Sequence, residues 1–172
     1  GAYPSTPRVL TVTAGDETQM VPMGTAIPDT LNGVGTISAS TIEAGGFSQI
    51  GLASATLIES AGGAGFPVAQ GTVAFEAGVN LKADIGITVD ASEIAAGSGA
   101  GAVTLSAPYV TLGSTDTIAQ YSNFAPQTGT EIALDVEAGS LLSLIGTLDL
   151  SGFSNAKLAS AGDMQLIGIQ SA

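Results

Sequence analysis

Asp84 and Asp90 stand six residues apart with Glu93 just beyond, and these are the side chains best spaced to do chemistry. Two carboxyl groups about 5–9 Å apart can hydrolyse a glycosidic bond, one as acid and the other as base or nucleophile. Carboxylate chemistry is what remains to this chain, because it has no histidine and no cysteine. A Ser–His–Asp triad, a thiolate nucleophile and a histidine-based zinc centre are thereby excluded. A lyase would want a basic proton acceptor, and Lys82 is the one base nearby. The competing reading makes Asp84, Asp90 and Glu93 solvated positions between inward apolar ones. On that reading the chain is not an enzyme, and no catalytic or cofactor-binding residue is assigned.

Asp16, Glu17, Asp29 and Asp116 fall in two segments read as loops, where oxygen ligands for calcium could converge. Neither an EF-hand pattern nor a Gly-Gly-x-Gly-x-Asp repeat accompanies them, so no metal ligand is assigned. The glycine clusters at 62–65 and 97–101 lack the Lys-Ser/Thr of a phosphate loop and the spacing of a dinucleotide fingerprint, and they read as corners. Tyr109, Tyr121 and Phe124 are the candidate contact surface, two of them in the second loop. Phe47 and Phe153 are expected as stacked core aromatics.

The elements that must carry these residues are short. Val73/Phe75, Val79/Leu81, Ile85/Ile87, Val103/Leu105, Val110/Leu112, Leu142/Leu144, Leu148/Leu150 and Met164/Leu166 are apolar pairs with one residue between. A one-residue skip puts both members of a pair on one face of an extended strand. The starts of the first three pairs lie six residues apart, which leaves room for a corner between strands. A helix would ask instead for apolar positions at i, i+3, i+4 and i+7, and few segments supply that. Val9 to Thr13 reads as a first strand, Thr36 to Ser38 and Thr41 to Glu43 as later ones, with very little helix overall. Hairpin signals are scarce too: one Asn-Gly, at Asn32-Gly33, and no Asp-Gly.

An internal echo supports coiling. GGFSQIGLASA at 45–55 and SGFSNAKLASA at 151–161 share Gly, Phe-Ser and Leu-Ala-Ser-Ala at matching places. With a repeat of about 20 residues the architecture is a β-solenoid, of about seven to eight rungs, each about 4.8 Å above the last. The alternative is a β-sandwich or jelly roll, which also strings short strands between turns. Residues 1–30 read as a lead-in strand and loop, and 113–130 as an extruded loop. The whole, 1–172, reads as a single segment expected to belong to a longer chain.

Composition limits the partners. Fifteen acidic residues against three basic ones, Arg8, Lys82 and Lys157, give a net charge of −12. Nucleic acid is excluded by repulsion from its phosphates, and an anionic membrane surface is disfavoured for the same reason. Charged residues make up only 10% of the chain, so its wetted surface must be largely Thr, Ser, Gln and Asn.

GFSNAKLASAGDMQLIG at 152–168, preceded by GTLDLSG, resembles the repeat of filamentous haemagglutinin-like exoproteins, which bacteria export by two-partner secretion. So does AVTLSAPYVTLGS at 102–114, where an Ala-Pro corner lies between two alternating strands. The resemblance is best over 100–170, fainter over 33–95 and absent over 1–30, and the loop at 113–130 departs from it. It implies a right-handed parallel β-helix, secreted or at the outer-membrane surface, acting as a rigid stalk in cell adhesion. The partners implied are neighbouring β-helix segments or copies of the chain itself, and a glycan or protein of a host-cell or bacterial surface. It carries over no site residue. A self-assembling fibre, surface-layer or phage-tail subunit is the first alternative, and a glycan-acting enzyme on the same scaffold the second.

Overall fold

A computed structural model describes residues 8–15, 26, 31, 33–54, 56–59, 67–114, 131–146 and 148–168. The described chain is all-β apart from one short helix, and its strands gather into two mainly parallel sheets. The first sheet holds β1 (Arg8–Thr13), β2 (Val34–Ser38), β5 (Pro67–Phe75), β8 (Glu93–Ala96) and β11 (Leu150–Ser151), in the order β2-β1-β5-β8-β11. The second holds β3 (Gln49–Ala53), β7 (Gly86–Asp90), β9 (Ala100–Gly113), β10 (Glu131–Ile145) and β12 (Asn155–Ser160), in the order β3-β7-β9-β10-β12. β6 (Asn80–Lys82) joins the second sheet along the first half of β9, and β13 (Asp163–Ile167) along the second half of β10. Among the described residues the one antiparallel pair is β4 (Thr56–Glu59) on the start of β5.

Parallel neighbours cannot be joined by tight hairpins, and here the chain passes from one sheet to the other and back. From β5 it runs to β6 and β7, returns to β8, crosses to β9 and β10, returns to β11, and ends on β12 and β13. Most of the apolar pairs thus stack into ladders that face the space between the sheets. Leu10, Val73, Ile94 and Leu150 are in register on the first sheet. Leu52, Val89, Leu112, Leu144 and Leu166 are in register on the second. Side-chain hydrogen bonds between levels join residues 20 to 22 apart, close to the expected repeat.

Four expectations need correction. Residues 41–43 are helical, within α1 (Ala39–Ala44). Ser38 caps that helix by accepting from the Thr41 N–H at 3.1 Å, Gly45 and Gly46 close it, and Ala39 and Ile42 turn into the core. β9 and β10 are single long strands, so the corner expected at Ala107-Pro108 is a continuous run, and the irregularity comes in β10 between Ala138 and Leu141. The inward pair of β7 is Ile87/Val89, and Ile85 falls in the bend before it, 45% exposed. Phe47 is 59% exposed in the turn after α1, whereas Phe153 does pack against the core.

Among the described residues the longest path in either sheet crosses five strands, against about seven to eight levels expected from a repeat of about 20 residues. Part of the reason is that the step from β9 to β10 takes 31 residues, Ala100 to Glu131. The echo also splits. Leu52 of β3 shares a ladder with Leu166, while Leu158 of β12 shares one with Leu81. Where a strand could lie over β6 at the level of β2 and β3, the helix α1 lies instead.

Candidate functional site

Outward positions alternate with the ladders, and on the second sheet they also fall into columns. Gln49, Gly86 and Tyr109 are in register on one column, and Gly51, Thr88 and Thr111 on the next. Gly86 supplies no side chain. A Cβ there would stand 3.3 Å from the Tyr109 carbonyl oxygen and 3.7 Å from its Cβ. Gly51 leaves open space as well, since a Cβ on it would meet nothing within 4 Å. Two bare positions beside Tyr109 and Ile85 hollow a concavity of about 300 Å³ into the sheet face. Tyr109 is 53% exposed along its side.

The polar lining of this hollow is turned to solvent. Gln49, Thr88 and Thr111 make no side-chain hydrogen bond with any described residue. Further along the Thr88–Thr111 column, Gln165 Nε2 donates to Ser143 Oγ at 2.8 Å, so an amide and a hydroxyl on neighbouring strands do pair there. Among the described residues, every side chain lining the hollow is uncharged. An aromatic flank with amide and hydroxyl groups able both to donate and to accept can hold an uncharged polar molecule with an apolar face.

Of the candidate contact residues, Tyr109 is thus on the exposed face of β9, while Tyr121 and Phe124 lie outside the described residues. So do Asp16, Glu17, Asp29 and Asp116. Among the described residues, no three acidic side chains converge on a metal-sized site. The carboxylates of the sequence reading are dispersed. Asp84 lies in the exposed bend before β7 and Asp90 at its far end, so a strand separates them, roughly 15–20 Å at about 3.3 Å per residue. Glycoside hydrolysis needs about 5–9 Å, and this pair does not supply it.

Glu93 is on the other sheet and is not solvated: it is 3% exposed. Thr72 Oγ1 donates to its Oε2 at 2.8 Å, and Ser151 adds a second side-chain hydrogen bond. Burial raises its pKa above the ordinary carboxylate range. The two hydroxyls oppose that rise, and the neighbouring charge of Asp149 adds to it. The carboxylates brought together are therefore Glu93 and Asp149. Sequence distance hid this, because Leu150 sits beside Ile94 only once the sheet is formed. The groove was hidden likewise: Thr88 and Thr111 look like spacers inside Ile87/Val89 and Val110/Leu112 until those pairs are set in register.

No family model matches this chain, and no curated protein or solved structure matches it either. What its fold defines is an all-β class, two sheets of stacked parallel strands over a shared core.

Proposed function

We propose that the chain is a segment of a right-handed parallel β-helix, and that it serves as a rigid, non-catalytic stalk in a large secreted or surface-exposed bacterial exoprotein, contributing to attachment. The observation that carries this reading is the unequal treatment of the two ends. At the level of β2 and β3, α1 turns Ala39 and Ile42 into the core and covers it. On β13 the ladder simply stops. Met164 and Leu166 are 46% and 80% exposed, although Leu142 one level back is fully buried. An edge of that kind fits a further level of the same build. The handedness follows the strong right-handed preference of parallel crossovers, and the adhesive role follows the resemblance to filamentous haemagglutinin-like repeats.

The test is an immunoblot of the source organism, fractionated into cytosol, envelope and medium. A band of very high mass in envelope or medium is expected. A band near 16.8 kDa would overturn the stalk reading. The exposed β13 edge also favours a second reading, a subunit that assembles with copies of itself, since an unpaired parallel edge invites association. Ordered filaments formed by the purified chain would select that reading.

A further inference from the structure

We propose that the hollow beside Tyr109 is a subsite for a neutral sugar. This deepens the adhesive reading above and rests on it for its biological setting, although binding itself can be measured independently.

Three features choose the ligand. The Tyr109 side chain, half exposed, gives a flat apolar surface of the kind on which the C–H face of a pyranose can lie. Beside it, Gln49, Thr88 and Thr111 offer an amide and two hydroxyls with no partner among the described residues. Sugar hydroxyls both donate and accept, and these groups do the same. The floor is open because Gly51 and Gly86 carry no side chain, and about 300 Å³ is at the small end of ligand pockets, which start near 300 Å³.

Charge narrows the class further. Among the described residues no acidic or basic side chain lines the hollow, and the chain as a whole carries −12. A sialylated or sulfated glycan would find no cation here and would be repelled at longer range. A quaternary ammonium group would want several aromatic faces, and could not use the solvent-facing hydroxyls as donors. A neutral hexose or N-acetylhexosamine uses both halves of the site.

The arrangement also supplies its own control. Gly51 lies within β3, and its backbone is not in the left-handed region. With nothing within 4 Å of an added Cβ, Gly51→Val fills the hollow without disturbing the fold. Tyr109→Ser removes the aromatic flank from an exposed position. The probe is a microarray of neutral oligosaccharides built from glucose, galactose, mannose and N-acetylglucosamine, with chondroitin sulfate fragments alongside. Titration calorimetry follows on the strongest binder. The expected result is binding to a neutral oligosaccharide that falls at least tenfold in both variants, each with an unchanged circular dichroism spectrum. Failure to bind any neutral oligosaccharide, preference for the sulfated fragments, or binding unchanged in both variants would overturn the proposal. Adhesion of the purified chain to cells is scored in parallel. Adhesion that survives both variants while sugar binding falls sinks the site's part in attachment and leaves the adhesive reading, whereas sugar binding without adhesion sinks the adhesive reading and leaves the site.

Discussion

Leu112 and Leu166 belong to one ladder, in register with Leu144 between them, yet one is fully buried and the other 80% exposed. Truncating each to alanine therefore asks how far the core extends. Leu112→Ala removes three carbon atoms from a site walled by Val89 on one side and Leu144 on the other. At about 0.8 kcal/mol per buried methylene the transfer loss is roughly 2.4 kcal/mol. The cavity left in a stack that cannot collapse along its axis brings the total to about 3–4 kcal/mol. Leu166 keeps only a fifth of its surface out of water, so the same truncation costs about 0.5 kcal/mol. Urea unfolding followed by far-ultraviolet circular dichroism separates these cases. With a slope of about 2 kcal/mol per molar, the midpoint falls by roughly 1.5–2 M for Leu112→Ala and by about 0.3 M for Leu166→Ala. A Leu112→Ala midpoint within about 0.3 M of the parent would refute the stacked core. A Leu166→Ala loss equal to that of Leu112→Ala would show that β13 is covered in solution, and the unequal-ends argument would fail with it.

Gly113 closes β9 at φ 124°, and a Cβ there would collide with the Ile145 carbonyl. Gly113→Ala is expected to cost at least about 2 kcal/mol, measurable as a lowered urea midpoint; an unchanged midpoint would refute the close approach. Glu93 has a pKa raised in the folded state, so its contribution to stability is full below the ordinary carboxylate range and is lost as pH rises through the raised value. Glu93→Gln keeps an acceptor for Thr72 and drops the charge, so at pH 7 it should be more stable than the parent, with the difference vanishing as pH falls below the ordinary carboxylate range. A variant less stable at pH 7 would contradict this. Ser38→Ala deletes the side-chain cap of α1 and should cost about 1 kcal/mol in the same unfolding assay; no loss would mean the cap does not hold the helix.

How much of this was legible in the residues depended on distance along the chain. The pairs Val73/Phe75, Val103/Leu105 and Val110/Leu112 announce their inward faces locally, and each is buried as its alternation predicts. α1 escaped because Thr41-Ile42-Glu43 has the composition of a strand. Its signals are the Ser38 cap and the Gly45-Gly46 stop, which act over only a turn. Ile85 escaped because an apolar residue two before Ile87 fits the alternation, whereas a bend at Asp84–Ile85 turns it outward. The groove and the Glu93–Asp149 pair were beyond local reading. Both are made by register between strands, and no spacing inside one strand encodes register.

The two ends of the stack also explain where association should begin. A bare strand edge is a template for another chain, and proteins blunt such edges with lysine or cover them. β12 carries Lys157, whose Nζ lies 3.5 Å from Glu137 Oε1 across the step to β10. Both side chains are more than half exposed, so the pair adds little stability. Its lysine nonetheless puts a charge on the edge that an incoming strand would have to accommodate. β13 has no such lysine and sets Met164 and Leu166 on the face that would cover the next level. At the other end α1 occupies the place over β6. β2 and β3 also lack a second strand neighbour among the described residues, but Ile50 and Leu52 on β3 are buried, so the larger apolar surface offered to an incoming strand is at β13.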